Sequence, residues 1–142
     1  MNIAQALKEK NKKVANLQKL WTRISRFNSV STGNPRPYDI EETWREINQE
    51  MSELIDLKAR IHNASAPVRK DIFAMSELKS LIQGVRGIDT TEGVYQARYS
   101  QESTETTAIF NVSWQDAQIE RIEKDIESIQ EKLDQFNHTT QI

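Results

Sequence analysis

The sequence predicts a mainly α fold: an antiparallel helical bundle, or coiled-coil hairpin, of three long helices and one shorter helix, with a small β-hairpin at about 93–112. Three observations predict it. Apolar residues recur every three or four positions over three long spans. Only 4 glycines and 3 prolines occur in 142 residues, so few positions break a helix. Hydrophobic residues make up 37% and charged residues 28%, with a mean hydropathy of −0.71, which suits narrow apolar stripes on charged helices. The length fits one helical domain spanning 1–142.

The first helix is expected at about 2–29. Ile3, Leu7, Val14, Leu17, Trp21 and Ile24 keep a 3.5-residue period, with Lys10 interrupting the stripe and Phe27 beside its end. The segment SVSTGNPRPY is a loop, because Gly33, Pro35 and Pro37 all oppose helix. Asp39 with Glu42 reads as a capping pair for a second helix at about 39–63. Its stripe is Ile40, Trp44, Ile47, Met51, Leu54 and Ile61, ending at HNASAP before Pro67.

Residues 68–75 carry no clear pattern. Ser76 then reads as the cap of a shorter helix at about 76–90, with Leu78, Leu81 or Ile82, Val85 and Ile88 as its stripe. GVYQARYS and TTAIFNVSW are rich in β-branched and aromatic residues, so a hairpin is expected at 93–100 paired with 105–112, with QESTE turning between them. Ser113 with Asp116 opens the last helix, about 113–137, whose stripe is Ile119, Ile122, Ile126, Ile129, Leu133 and Phe136. A stripe this narrow needs a partner helix, since alone in water its isoleucines would be bare.

Charge is split unevenly. Residues 1–28 hold seven cations against Glu9, a net +6, whereas residues 39–58 net −5 and residues 114–136 net −4. Flanking charges of opposite sign select partner and orientation between helices. A nucleic-acid role fits less well, because the whole-chain pI is ≈ 5.8 and the basic helix has no interleaved aromatic platform. The stripe is also too narrow for a membrane-surface helix.

Several chemistries fall away. The chain has no cysteine, which excludes disulfides, thiolate metal sites and thiol nucleophiles. His62 and His138 are its only histidines, each expected just past a helix end, and neither sits in a Glu-x-x-His spacing, since Ala59 and Gln135 occupy those positions. There is no GxSxG, GxGxxG or P-loop. The sequons at Asn63, Asn111 and Asn137 coincide with helix boundaries and read as structural punctuation. Trp21, Trp44 and Trp114 lie at or near the seams and read as packing residues. The Tyr and Arg of QARYSQES are the most site-like corner. The N-terminus has no apolar signal-like run, and no stretch approaches the length of a membrane span.

The order ALKEK, RIHNAS, SELKSLI, ARYSQES and the closing LDQFNHTTQI resembles the septicolysin-like family of small bacterial helical proteins. The resemblance spans most of the chain and implies a helical fold. It implies a cytolysin by name and brings no catalytic residues. Where that family carries an Arg-Asp-rich third helix, this chain has SLIQGVRGI.

These readings predict no enzyme, with no catalytic, cofactor-binding or metal residues and no cofactor. They predict a cytoplasmic structural or interaction protein: a homo-oligomer that self-associates through leftover apolar surface, open to a protein partner, and not directed at nucleic acid or a membrane. The alternatives are a prefoldin-like chaperone or holdase, and a membrane-active, cytolysin-like protein.

Overall fold

Asn2 begins the first helix, α1 (Ile3–Phe27), with a reciprocal cap: its side chain accepts a hydrogen bond from the Gln5 N–H at 2.8 Å, and the Gln5 side chain accepts one from the Asn2 N–H at 2.9 Å. Asp39 opens α2 (Ile40–Ala64) in the expected way, accepting from the Glu42 N–H at 3.0 Å. The computed structural model describes residues 1–99 and 101–142. It is mainly helical, with four helices and a two-stranded antiparallel hairpin. The chain divides into two compact units, Met1–Val68 with Asp134–Ile142, and Arg69–Leu133.

In the first unit α1 and α2 form a helical hairpin. Leu17 and Leu20 of α1 meet Ile47 and Leu54 of α2, and Ile24 packs against them. The buried faces differ from the expected 3.5-residue seams. Ala6 and Leu20 are buried on α1, and Thr43 and Leu57 on α2, while Val14, Trp21, Trp44 and Met51 stay exposed. A straight helix drifts against a 3.5 period, so residues at the end of a strict stripe swing to the edge of the contact. Thr43 is tolerated in the core because its hydroxyl donates to the Asp39 carbonyl at 2.8 Å.

The first unit also holds both ends of the chain. The Ile3 N–H donates to the Thr140 carbonyl and the Ile142 N–H to the Met1 carbonyl, each at 3.0 Å. The Asn2 side-chain amide donates to the His138 carbonyl at 3.2 Å. One asparagine thus caps the start of α1 and satisfies a carbonyl in the last turn of the final helix.

In the second unit the third helix, α3 (Arg69–Arg86), starts seven residues before Ser76 and stops short of 90, correcting the expected 76–90. Pro67 does end α2, but it sits in a single 3₁₀ turn, Ala66–Val68, that leads directly into α3. A proline has no N–H to leave unsatisfied there. Buried Val68 and Met75 supply the apolar anchors that the unclear 68–75 stretch conceals.

The final helix, α4 (Val112–Thr139), is capped by Asn111, whose side chain accepts from the Trp114 N–H at 2.9 Å; the expected Ser113–Asp116 pair lies inside the helix instead. Phe110, just outside the cap, stacks on Trp114 at 3.8 Å, in the manner of a hydrophobic staple. The α4 stripe faces α3: Ile82, Val85 and fully buried Ile122 share a core with Leu78, Trp114, Ile119 and Ile126. The two helices run antiparallel, because Arg86 near the end of α3 pairs with Glu123 while Asp71 near its start pairs with Lys132. The Gln115 amide donates to the Val85 and Ile88 carbonyls at 2.8 and 3.2 Å and so closes the C-terminus of α3.

The hairpin is shorter than the expected 93–100 with 105–112. Strands β1 (Gly93–Gln96) and β2 (Ser103–Thr106) pair with Gly93 opposite Thr106 and Gln96 opposite Ser103. Ser100, expected in the first strand, lies outside the described residues. The second strand uses part of QESTE, because Asn111 commits the residues after it to helix. Gly93 has φ +112, a conformation that favours glycine, and this fixes where β1 begins. All eight strand residues are exposed, so backbone pairing holds the hairpin without a buried face.

Candidate interaction site

The α1–α2 hairpin presents three distinct surfaces. The first is apolar. Trp21 and Trp44 meet edge to face with centroids 6.0 Å apart, and they are 45% and 51% exposed. Val14 lies two turns from Trp21 on α1, and Met51 and Ile55 follow Trp44 by seven and eleven residues on α2, so each set shares a helical face. All five side chains are exposed. The sequence places the tryptophans at the seam, and the structure places them at its edge.

The second surface is basic and lies along α1. Lys8, Lys12, Lys19, Arg23 and Arg26 step by 4, 7, 4 and 3 residues, which confines them to about 60° of arc over about 27 Å. Toward its end is a shallow recess of about 600 Å³, where Lys19, Arg23 and Arg26 face Pro37 and Tyr38 of the connecting loop. The loop is pinned there. The Arg36 guanidinium donates to the Phe27 and Asn28 carbonyls at 2.9 and 3.1 Å. The Phe27 and Tyr38 rings lie 5.9 Å apart, and the Arg23 guanidinium sits 4.4 Å over the Tyr38 ring. Among the described residues, none of these five cations has a carboxylate at ion-pairing distance.

The third surface is acidic. Glu42, Glu46, Glu50 and Glu53 of α2, with Asn16 of α1, line a groove of about 410 Å³. Lys13 reaches it from α1, at 2.8 Å from Glu53 and 3.4 Å from Glu50. Of the seven α1 cations, Lys13 alone makes such a cross-helix ion pair among the described residues, so the charge split of the sequence is matched here at one position. The Lys13 hydrogen bond holds the Glu53 carboxyl below its ordinary range, and the same bond raises the Lys13 ammonium above its own. Arg45 pairs with Glu42 at 3.1 Å, and Glu46 has no ion-pair partner among the described residues.

The histidines are not brought into a reactive cluster. His62 and His138 lie in the last turns of α2 and α4, inside the helices rather than just past their ends. His138 Nδ1 sits 2.7 Å from the Asp134 carbonyl. Among the described residues no group of three His, Asp or Glu side chains could hold a metal ion, and no helix is long and apolar enough to cross a membrane. In the QARYSQES corner Arg98 lies 5.8 Å over the Tyr99 ring, and Tyr99 is almost wholly in solvent. The arrangement as a whole can recognise charge and cover apolar surface.

No protein-family model, no curated protein and no solved structure matches this chain.

Proposed function

We infer that this chain is a non-enzymatic interaction protein that self-associates through the apolar side of its α1–α2 hairpin. The observation that carries the reading is the half-exposed Trp21–Trp44 pair, flanked by exposed Val14, Met51 and Ile55. Aromatic pairs with this much open area are the usual anchors of protein interfaces. A second copy offers the same surface, so an isologous pairing buries both at once. Light scattering tests it: a mass of twice 16.5 kDa or more at micromolar concentration supports the reading, and a concentration-independent 16.5 kDa removes it.

A prefoldin-like holdase is the second reading. It draws on the hairpin between α3 and α4, whose Val94 and Tyr95 are exposed. Suppression of the aggregation of an unrelated client favours it. The septicolysin-like resemblance implies liposome leakage, and leakage by a protein that stays monomeric would replace both readings.

A further inference from the structure

We propose that the basic stripe on α1 of one copy docks on the acidic groove of α2 of another, as a second, salt-sensitive contact between copies. This goes beyond the apolar pairing and does not depend on it.

Lys8, Lys12, Lys19, Arg23 and Arg26 give an uninterrupted positive face with no carboxylate partner among the described residues. The groove holds four glutamates against Lys13 and Arg45, a net −2; Lys13 is shared by Glu50 and Glu53, Arg45 pairs with Glu42, and Glu46 has no ion-pair partner among the described residues. Both surfaces follow a helical repeat: 4 and 3 residues from Lys19 to Arg26, and 4, 4 and 3 from Glu42 to Glu53. Two helices laid side by side therefore bring successive turns of cation and carboxylate together. Lys13 already makes this contact within one copy, reaching from α1 to Glu50 and Glu53.

A nucleic acid is the other polyanion for such a stripe. It is disfavoured because the residues of α2 beside α1 are net negative over 39–58 and the whole chain carries −2, so an extended phosphate chain meets repulsion. A second copy presents a short acidic groove of matching repeat. Stripe and groove are different surfaces, so a single such contact is heterologous and grows into open chains or closes into a ring, whereas two reciprocal contacts close a two-fold dimer.

The test is a charge swap on the full chain. K19E/R26E reverses the Lys19–Arg26 end of the stripe, from +3 to −1, and leaves Arg23 on Tyr38; E42K/E46K reverses the groove and leaves Lys13 with Glu50 and Glu53. Circular dichroism and a thermal melt establish that each variant folds. The wild-type mass is expected to fall between about 50 mM and about 500 mM salt as screening shortens the reach of charge. Each variant alone is expected to self-associate at least about tenfold more weakly, and an equimolar mixture of the two is expected to recover the wild-type mass. A mixture that does not recover overturns the proposal, as does a wild-type mass indifferent to salt and to both variants. Tight wild-type binding to a single-stranded oligonucleotide, lost in K19E/R26E without recovery on mixing, overturns it in favour of nucleic acid. An assembly that ignores charge but dissociates when the tryptophans are removed leaves the apolar pairing standing and removes only the charged contact.

Discussion

The indole rings of Trp21 and Trp44 touch edge to face across the α1–α2 contact, yet about half of each side chain faces solvent. Replacing both with alanine removes a pair that contributes to folding and, in a self-associating protein, more to assembly. Truncation of a half-exposed tryptophan costs about half of the 3–5 kcal/mol seen in full cores, so each substitution should lower stability by about 2 kcal/mol. If the chain self-associates as proposed, the double variant should be monomeric at concentrations where the wild type is associated. Sedimentation of the double variant beside its thermal melt separates the two effects; an unchanged oligomer would show that the tryptophans serve folding alone.

The start of α4 distinguishes two asparagine- and serine-based caps. Asn111→Ala should cost about 1 kcal/mol, because the Trp114 N–H loses its acceptor. Ser113→Ala, inside the first turn and exposed, should change stability by less than about 0.5 kcal/mol. Urea denaturation of both variants checks the pair, and the reverse order of effects would restore Ser113 as the cap.

Burial of Ile122 is complete and that of Ile55 is slight. Ile122→Ala should destabilise by about 2–5 kcal/mol, since it opens a cavity between Ile82 and Val85 that the helices cannot fully close. Ile55→Ala should leave the melt of the monomer nearly unchanged, by about 0.5 kcal/mol or less. Amide hydrogen exchange should report the loss at Ile122 first in α3 and α4.

Acid sensitivity should follow the two lowered carboxyls. Glu53 is held down first by its hydrogen bond from Lys13, and Asp89 by those from the Thr91 hydroxyl and N–H. Both have folded values below their unfolded ones. Their stabilisation is therefore fully present above the ordinary carboxyl range and is lost as the pH falls through the lowered values. Lys13 is the mirror case: its raised value gives stabilisation below the ordinary lysine value that disappears as the pH rises through the raised one. Melts between about pH 6 and about pH 2 should show a smaller acid-induced drop for Glu53→Gln and Asp89→Asn than for the wild type. Equal drops in variant and parent would mean these bonds do not persist in solution.

The helices and the hairpin were legible because their signals are local. The α4 stripe from Ile119 to Phe136 reads directly off the sequence, and Ile122 and Leu133 are indeed buried. The third helix began earlier than its serine suggested because a proline in a 3₁₀ turn looks the same, in sequence, as a proline that ends a helix for good. The second strand was displaced because Ile109 and Phe110 have strand-like chemistry but serve the approach to the α4 cap. The candidate surfaces were legible only as net charges. That Tyr38 would fold back under Arg23 depended on the loop, where Arg36 closes the end of α1.

The clasp between Met1–Ile3 and Thr140–Ile142 brings the two extremities of the polypeptide side by side. A few residues of linker would suffice to join them covalently. Fresh ends opened in the exposed 29–38 connection would then leave every helix intact. Such a circular permutant keeps the α1–α2 packing while breaking its direct connection, so comparing its refolding rate with the parent's would measure how far that one turn speeds the assembly of the pair.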